Sequence, residues 1–142
     1  MKIALGSDHA GYTQKEMLRT WLSSQGHDVQ DFGTHSPDSM DYPDVAHPLS
    51  AAVATGTFEQ GILLCGSANG VCITANKHAG VRAAIAWLPE LAALARQHND
   101  ANVLCIPARY VSEEQAREIV SIFLKTDFEA GRHQQRVAKI NC

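Results

Sequence analysis

The sequence has only four cysteines in 142 residues, and no two of them form a C-x-x-C pair. That absence argues against a disulfide or zinc framework, so Cys65, Cys72, Cys105 and Cys142 are expected to be reduced thiols in a cytoplasmic protein. There is no excess of charge of either sign: 12 Lys and Arg face 15 Asp and Glu, a formal net charge of −3. Neither nucleic acid nor a membrane surface has an electrostatic reason to bind. No apolar run approaches the ~20 residues of a transmembrane helix, and no signal-peptide h-region precedes the first strand-like run. Internal repeats, low-complexity tracts and linkers are missing too. With 45% hydrophobic residues, the chain is expected to fold as one domain over residues 1–142 around one substantial core.

What is present is alternation. Short β-like runs at 1–6, 29–32, 61–65, 81–86 and 103–106 alternate with helical patterns. Met17, Leu18, Trp21 and Leu22 recur at helical spacing before Gly26, and Val45, Leu49, Ala52 and Val53 mark a second face. Pro48 fits that second helix only if it begins nearby. A third helix is expected to open at Val71 and a fourth at Pro89, running to about His98. Ser112 with Gln115 forms a capping box for a fifth, and a last short helix is expected over 131–140. The pattern predicts a doubly wound α/β domain, a parallel sheet with helices on both faces. Ligands bind such sheets at the carboxyl ends of the strands. That edge receives Asp8-His9, the loop carrying Tyr42, Cys65 with its loop, and Arg109.

The sharpest local feature is ILLCGSANGV at 62–71: an apolar run ends in a thiol facing a small-residue loop. The loop leads into a helix N-terminus, so free N–H groups and the helix dipole both favour an anion beside Cys65. Ser67 adds a hydroxyl. The same potential favours the thiolate, which makes Cys65 a candidate base or nucleophile; a buried thiol beside a tight turn is the plainer alternative. The spacing is not the G-x-G-x-x-G dinucleotide fingerprint, no Gly-Lys-Ser/Thr closes a P-loop, and no arginine follows the loop to grip a transferred phosphate. Arg132 and Arg136 in RHQQR lie at i, i+4 and share a helix face that suits one phosphate, or simply a solvated basic face. His98 ends a helix, where a histidine is often only a favourable charge. Histidines 27, 35, 47, 78 and 133 show no metal-ligand spacing, so no metal is expected.

Taken together, GSDHAG at 6–11, DYPD at 41–44, CGSANG at 65–70 with Ala75-Asn76-Lys77, RQHND at 96–100 and GRHQQR at 131–136 resemble type B ribose-5-phosphate isomerases. These belong to a sugar-phosphate isomerase family that also includes galactose-6-phosphate isomerase subunits, and the motifs span nearly the whole chain. The resemblance implies a Rossmann-like α/β/α fold, a homodimer, no metal or cofactor, and aldose–ketose interconversion through a cis-enediolate. It implies that Cys65 moves a proton between C2 and C1 and that His98 opens the furanose ring. Asp8 and Asn99 would bind the sugar, and Gly66, Ser67, Ala68, Asn69 and Gly70 would hold the enediolate oxygen. His9, Arg109, Arg132 and Arg136 would surround the phosphate, with Tyr42 nearby. The chain departs from the family in three places. Ser67 stands where many members have threonine, Ala68 where glycine is frequent, and Val71 where members lacking the cysteine carry a glutamate base. A methyl at 68 disfavours positive φ.

Topology sets these assignments in conflict. Cys65 belongs at the carboxyl edge of the sheet, whereas His98 and the segment leading into Arg132 return toward the opposite edge. A two-fold dimer in which one chain lends His98, Arg132 and Arg136 to its partner's Cys65 resolves this, with pairing into tetramers left open. A hexose 6-phosphate isomerase would need the same residues with more room. A sugar-phosphate sensor would keep the arginines without needing the thiol. A cysteine hydrolase would form a covalent intermediate that isomerisation does not.

Overall fold

A computed structural model describes residues 1–141, so the expectation for Cys142 lies outside the described residues. Among the described residues are five strands, β1 (Lys2–Ser7), β2 (Asp28–Asp31), β3 (Gln60–Cys65), β4 (Ala83–Ile85) and β5 (Val103–Pro107). Between them run α1 (Tyr12–Ser24), α2 (Pro43–Ala54), α3 (Asn69–Ala75) and α4 (Pro89–Asn99), followed by α5 (Glu113–Lys125) and α6 (Arg132–Ala138). The sheet is parallel throughout, in the order β2-β1-β3-β5-β4. This is the doubly wound parallel sheet expected from the alternation and the Rossmann-like α/β/α sandwich that the resemblance implied.

Side-chain alternation along each strand divides the core in two. Ile3, Leu5, Ile62, Leu64, Leu104 and Ile106 meet α1, α4 and α5 on one face. Ala4, Leu63, Cys65, Val103 and Cys105 meet α2 and α3 on the other. Cys65 therefore ends its strand pointing to the α2/α3 side.

Three local findings adjust the expectations. The second helix begins at Pro43, five residues before Pro48, which lies inside it. Pro43 suits a first turn, and Pro48 forfeits a bond to the carbonyl of Asp44 on a face where both residues are exposed, so water can satisfy that carbonyl. The third helix starts at Asn69, two residues earlier than the apolar pattern suggested. The buried stripe of α1 is Lys15, Leu18 and Leu22. The Lys15 ammonium is fully buried and meets Asp31 at 2.6 Å and Glu16 at 3.1 Å, the pairing a buried charge requires. Asp31 also accepts from Gly33 N–H at 2.8 Å, and the Gly33–Thr34 backbone pairs with Ser7 at 2.7 Å. The ion pair thus anchors the loop beside Asp8. The Ser112–Gln115 capping box forms in full.

From β1 the chain steps one way to β2, and β3 leads the other way to β5 and β4. The carboxyl ends of β1 and β3 flank the reversal, where such folds open a crevice.

Candidate active site

A cleft of about 260 Å³ fills this switch point, lined by Asp8, His9, Ala10, Tyr42, Cys65, Gly66, Ser67, Gly70 and Arg109. Backbone bonds tie its walls together. Asp8 N–H donates to Leu64 O at 3.1 Å, Ala108 N–H to Cys65 O at 2.9 Å, and Arg109 N–H to Gly66 O at 3.2 Å. Gln14 of α1 holds the Arg109 turn by donating to Ala108 O and Val111 O at 3.0 and 2.7 Å.

Asp8 caps the short 3₁₀ turn His9–Gly11, and its Oδ1 accepts from the N–H groups of Ala10 and Gly11 at 3.0 and 3.2 Å. Both bonds fall on one oxygen, which leaves Oδ2 available to a ligand. His9 Nδ1 accepts from Met40 N–H at 3.2 Å, so in the neutral ring the proton sits on Nε2 and that nitrogen is a donor. A methyl on Gly66 would come within 3.1 Å of Arg109 Nη1, and one on Gly70 within 2.6 Å of the Tyr42 ring. Glycine at these positions lets the guanidinium and the phenol lie directly on the loop backbone. Ser67 Oγ accepts from Asn69 N–H at 3.4 Å.

Cys65 is 5% exposed and lines the cleft. The other described thiols, Cys72 and Cys105, are also free and buried in the same core. Burial first, then the neighbouring Cys72 and Cys65, pushes the Cys105 thiol well above its ordinary range, and it donates to Cys72, whose own value is lowered by that bond. Neither Cys72 nor Cys105 lines the cleft. Beside it opens an apolar groove of about 350 Å³ formed by Ser67, Asn69, Ile85, Trp87, Pro107 and Tyr110, with Trp87 51% and Tyr110 75% exposed.

His98, Asn99, Arg132 and Arg136 do not reach this cleft. Asn102, three residues beyond α4, sits at the amino edge: its carbonyl accepts from Gly61 N–H at 2.9 Å and its Oδ1 from Arg82 N–H at 2.8 Å. From Gly61 to Cys65 is about 13 Å of strand. At the far edge α6 packs on the last turn of α4, where the His98 ring, 38% exposed, stacks on His133 with centroids 4.2 Å apart and planes 13° apart. Arg132 and Arg136 are exposed on the same helix, and Asn99 is exposed beside them. Burial, then the His98 and Arg132 charges, holds His133 below its ordinary range. Ligating atoms of His98, His133 and Glu129 lie within 4.8 Å of one another. Nearly parallel imidazole planes cannot both aim lone pairs at one ion unless a ring turns, so the arrangement is a stack and not a chelate.

The ribose/galactose isomerase family model matches residues 3–140. The chain belongs to that family. It is 46% identical over 139 residues to ribose-5-phosphate isomerase B of Escherichia coli K12, covering 98% of this chain and 93% of that protein. The ribose-5-phosphate isomerase B structure from Clostridium thermocellum superposes with a TM-score of 0.97 at 44% identity, covering 99% and 95% of the two chains. That of Mycoplasma genitalium, solved with bound ribulose 5-phosphate, gives 0.95 at 43%, covering 98% and 93%. No helix among the described residues is long and apolar enough to cross a membrane.

Against the family pattern, Ala68 is the instructive departure. It keeps the left-handed backbone, φ 67° and ψ −8°, with its methyl fully buried. Left-handed φ costs a non-glycine residue about 1–2 kcal/mol, while a buried methyl returns about 0.8 kcal/mol. Ala68→Gly is therefore expected to change stability by less than about 1 kcal/mol. Ala116→Gly, equally buried but within α5, should cost about 2 kcal/mol. Urea unfolding of the two variants checks this, and equal losses would remove the strain at 68.

Sequence reasoning missed His133 as a partner of His98. Its signal was available: in RHQQR it follows Arg132 by one residue, about 100° around the helix and off the arginine face. Nothing in the local sequence signalled the His9–Met40 bond, which joins residues 31 apart.

Proposed function

We propose that this chain interconverts D-ribose 5-phosphate and D-ribulose 5-phosphate, as its relatives' names describe for them, with Cys65 as the proton-transfer base. The observation that carries this reading is that Cys65, Asp8 and Arg109 line one small cleft. Asp8 Oδ2 accepts from a sugar hydroxyl. His9 Nε2–H and Arg109 donate to the phosphate. The thiolate removes the C2 proton of the open-chain aldose, leaving a cis-enediolate, and returns a proton to C1 as the O2 proton moves to O1. The loop Gly66–Gly70 lies beside the sulfur, where negative charge develops on oxygen.

The remaining groups come from a second copy. His98 of the partner subunit opens the furanose by giving a ring N–H proton to the ring oxygen and taking the anomeric hydroxyl proton on its imidazole. The partner's Arg132 and Arg136 complete the phosphate clamp, whose binding energy fixes the reacting carbons against the sulfur. Two features favour this sharing: His98 and both arginines stand at the edge opposite Cys65 within one chain, and the groove carrying Trp87 and Tyr110 beside the cleft offers an apolar seat for a second subunit.

Proton NMR of ribose 5-phosphate in D₂O with EDTA-treated protein tests the reaction. Ribulose 5-phosphate carrying solvent deuterium is the expected product. Conversion of allose 6-phosphate instead would change the substrate, and silence with both sugars would overturn the isomerase reading.

A further inference from the structure

The proposed reaction leaves His133 and Glu129 without a part, although both stand against His98. Arg132 and Arg136 reach outward from α6, while His133 turns inward and is 9% exposed. The entry to α6 is built to press that ring on its neighbour. Ala130 and Gly131 both take left-handed backbone, φ 57° and 53°. Glu129 N–H donates to Gln97 O at 3.1 Å, and Arg96 Nε donates to Thr126 O at 3.1 Å. These bonds stitch the connection to the last turn of α4, next to His98.

Building on the ring-opening role of His98, we propose that His133 is its positioning residue: the flat face of His133 sets the plane of the His98 imidazole. A face-to-face stack at 4.2 Å leaves the nitrogen-bearing edges of His98 free, with Nε2 3.8 Å from Glu129 Oε1. Ring opening needs those edges, because both protons it moves pass through ring nitrogens. Two imidazolium ions at stacking distance repel. His133 is held low by burial and by His98, Arg132 and Arg136, against which only Glu129 acts. A half-exposed histidine at a helix end has no other ring against it to fix its plane, and misplacement by about 1 Å can cost about 10²-fold.

The test follows two signals by NMR in D₂O, starting from ribulose 5-phosphate. This ketose is open-chain, because its esterified O5 cannot close a five-membered ring on C2. Deuterium exchange at C1 needs only the Cys65 base, whereas furanose formation also needs ring chemistry. His133→Gln is expected to lose about 10- to 100-fold in conversion relative to exchange, while His133→Phe, which keeps a flat ring, stays within about threefold on both. A glutamine variant that fails to fold is replaced by His133→Leu, which fills the space without a planar face, and the same loss is expected. His98→Ala separates the two levels of inference. If it leaves the exchange-to-conversion ratio unchanged, the ring-opening role of His98 is wrong. If it raises the ratio while His133→Gln (or Leu) lowers both signals equally, or His133→Phe fails to restore conversion, the positioning role alone is overturned.

Discussion

Cys65→Ser is expected to lose about 10³-fold or more in both isomerisation and solvent-deuterium exchange, while still binding ribulose 5-phosphate. The substitution keeps size and place but exchanges the thiol for a hydroxyl too weakly acidic to be ionised near neutral pH. The position where some family members carry a glutamate base is the fully buried Val71. Asp8 already has one oxygen engaged by two N–H groups. Cys105 is packed away at 0% exposure with its thiol held protonated by burial. Binding should survive because Asp8, His9 and Arg109 are held by backbone bonds and Gln14, none of which involves the sulfur. Isothermal calorimetry with ribulose 5-phosphate and NMR exchange on the same sample measure the two halves. Exchange within tenfold of the parent would take the base role from Cys65, and loss of binding would make the thiol a structural support.

The parts of this site that could be read from sequence are those fixed by local chemistry or by topology. An apolar run ending in Cys-Gly-Ser can be placed at the carboxyl end of a strand before any coordinates exist, and so can Asp8 and Arg109. The capping box at Ser112 is equally local. What escaped depends on long-range contacts that override a local rule. Lys15 breaks the apolar stripe of α1 because Asp31, sixteen residues away, neutralises it. Pro48 sits inside a helix because the bond it forfeits lies on the wet face. Ala68 accepts left-handed backbone because its methyl is fully buried within the α2/α3 core. His133 shows no metal-ligand spacing in the sequence, and its partner His98 comes from α4, packed against α6. For Lys15, Ala68 and His133 the compensating contact comes from packing between segments distant in sequence.

Mixing Cys65→Ala and His98→Ala subunits, each inactive alone, is expected to restore about a quarter of parental activity. Random pairing makes half the two-fold dimers hybrid, and each hybrid holds one intact site. The prediction turns on a distance that no side-chain motion can close. Cys65 and His98 are separated within one chain by the length of the sheet, about 13 Å or more, whereas proton transfers to one bound sugar require both groups at hydrogen-bond range. A site contained in one chain would leave every hybrid with one subunit lacking the base and one lacking His98, so no activity would return. Chain exchange verified by mass spectrometry, with activity following the hybrid fraction, would establish that the site is composite. Verified hybrids without activity would overturn the composite site.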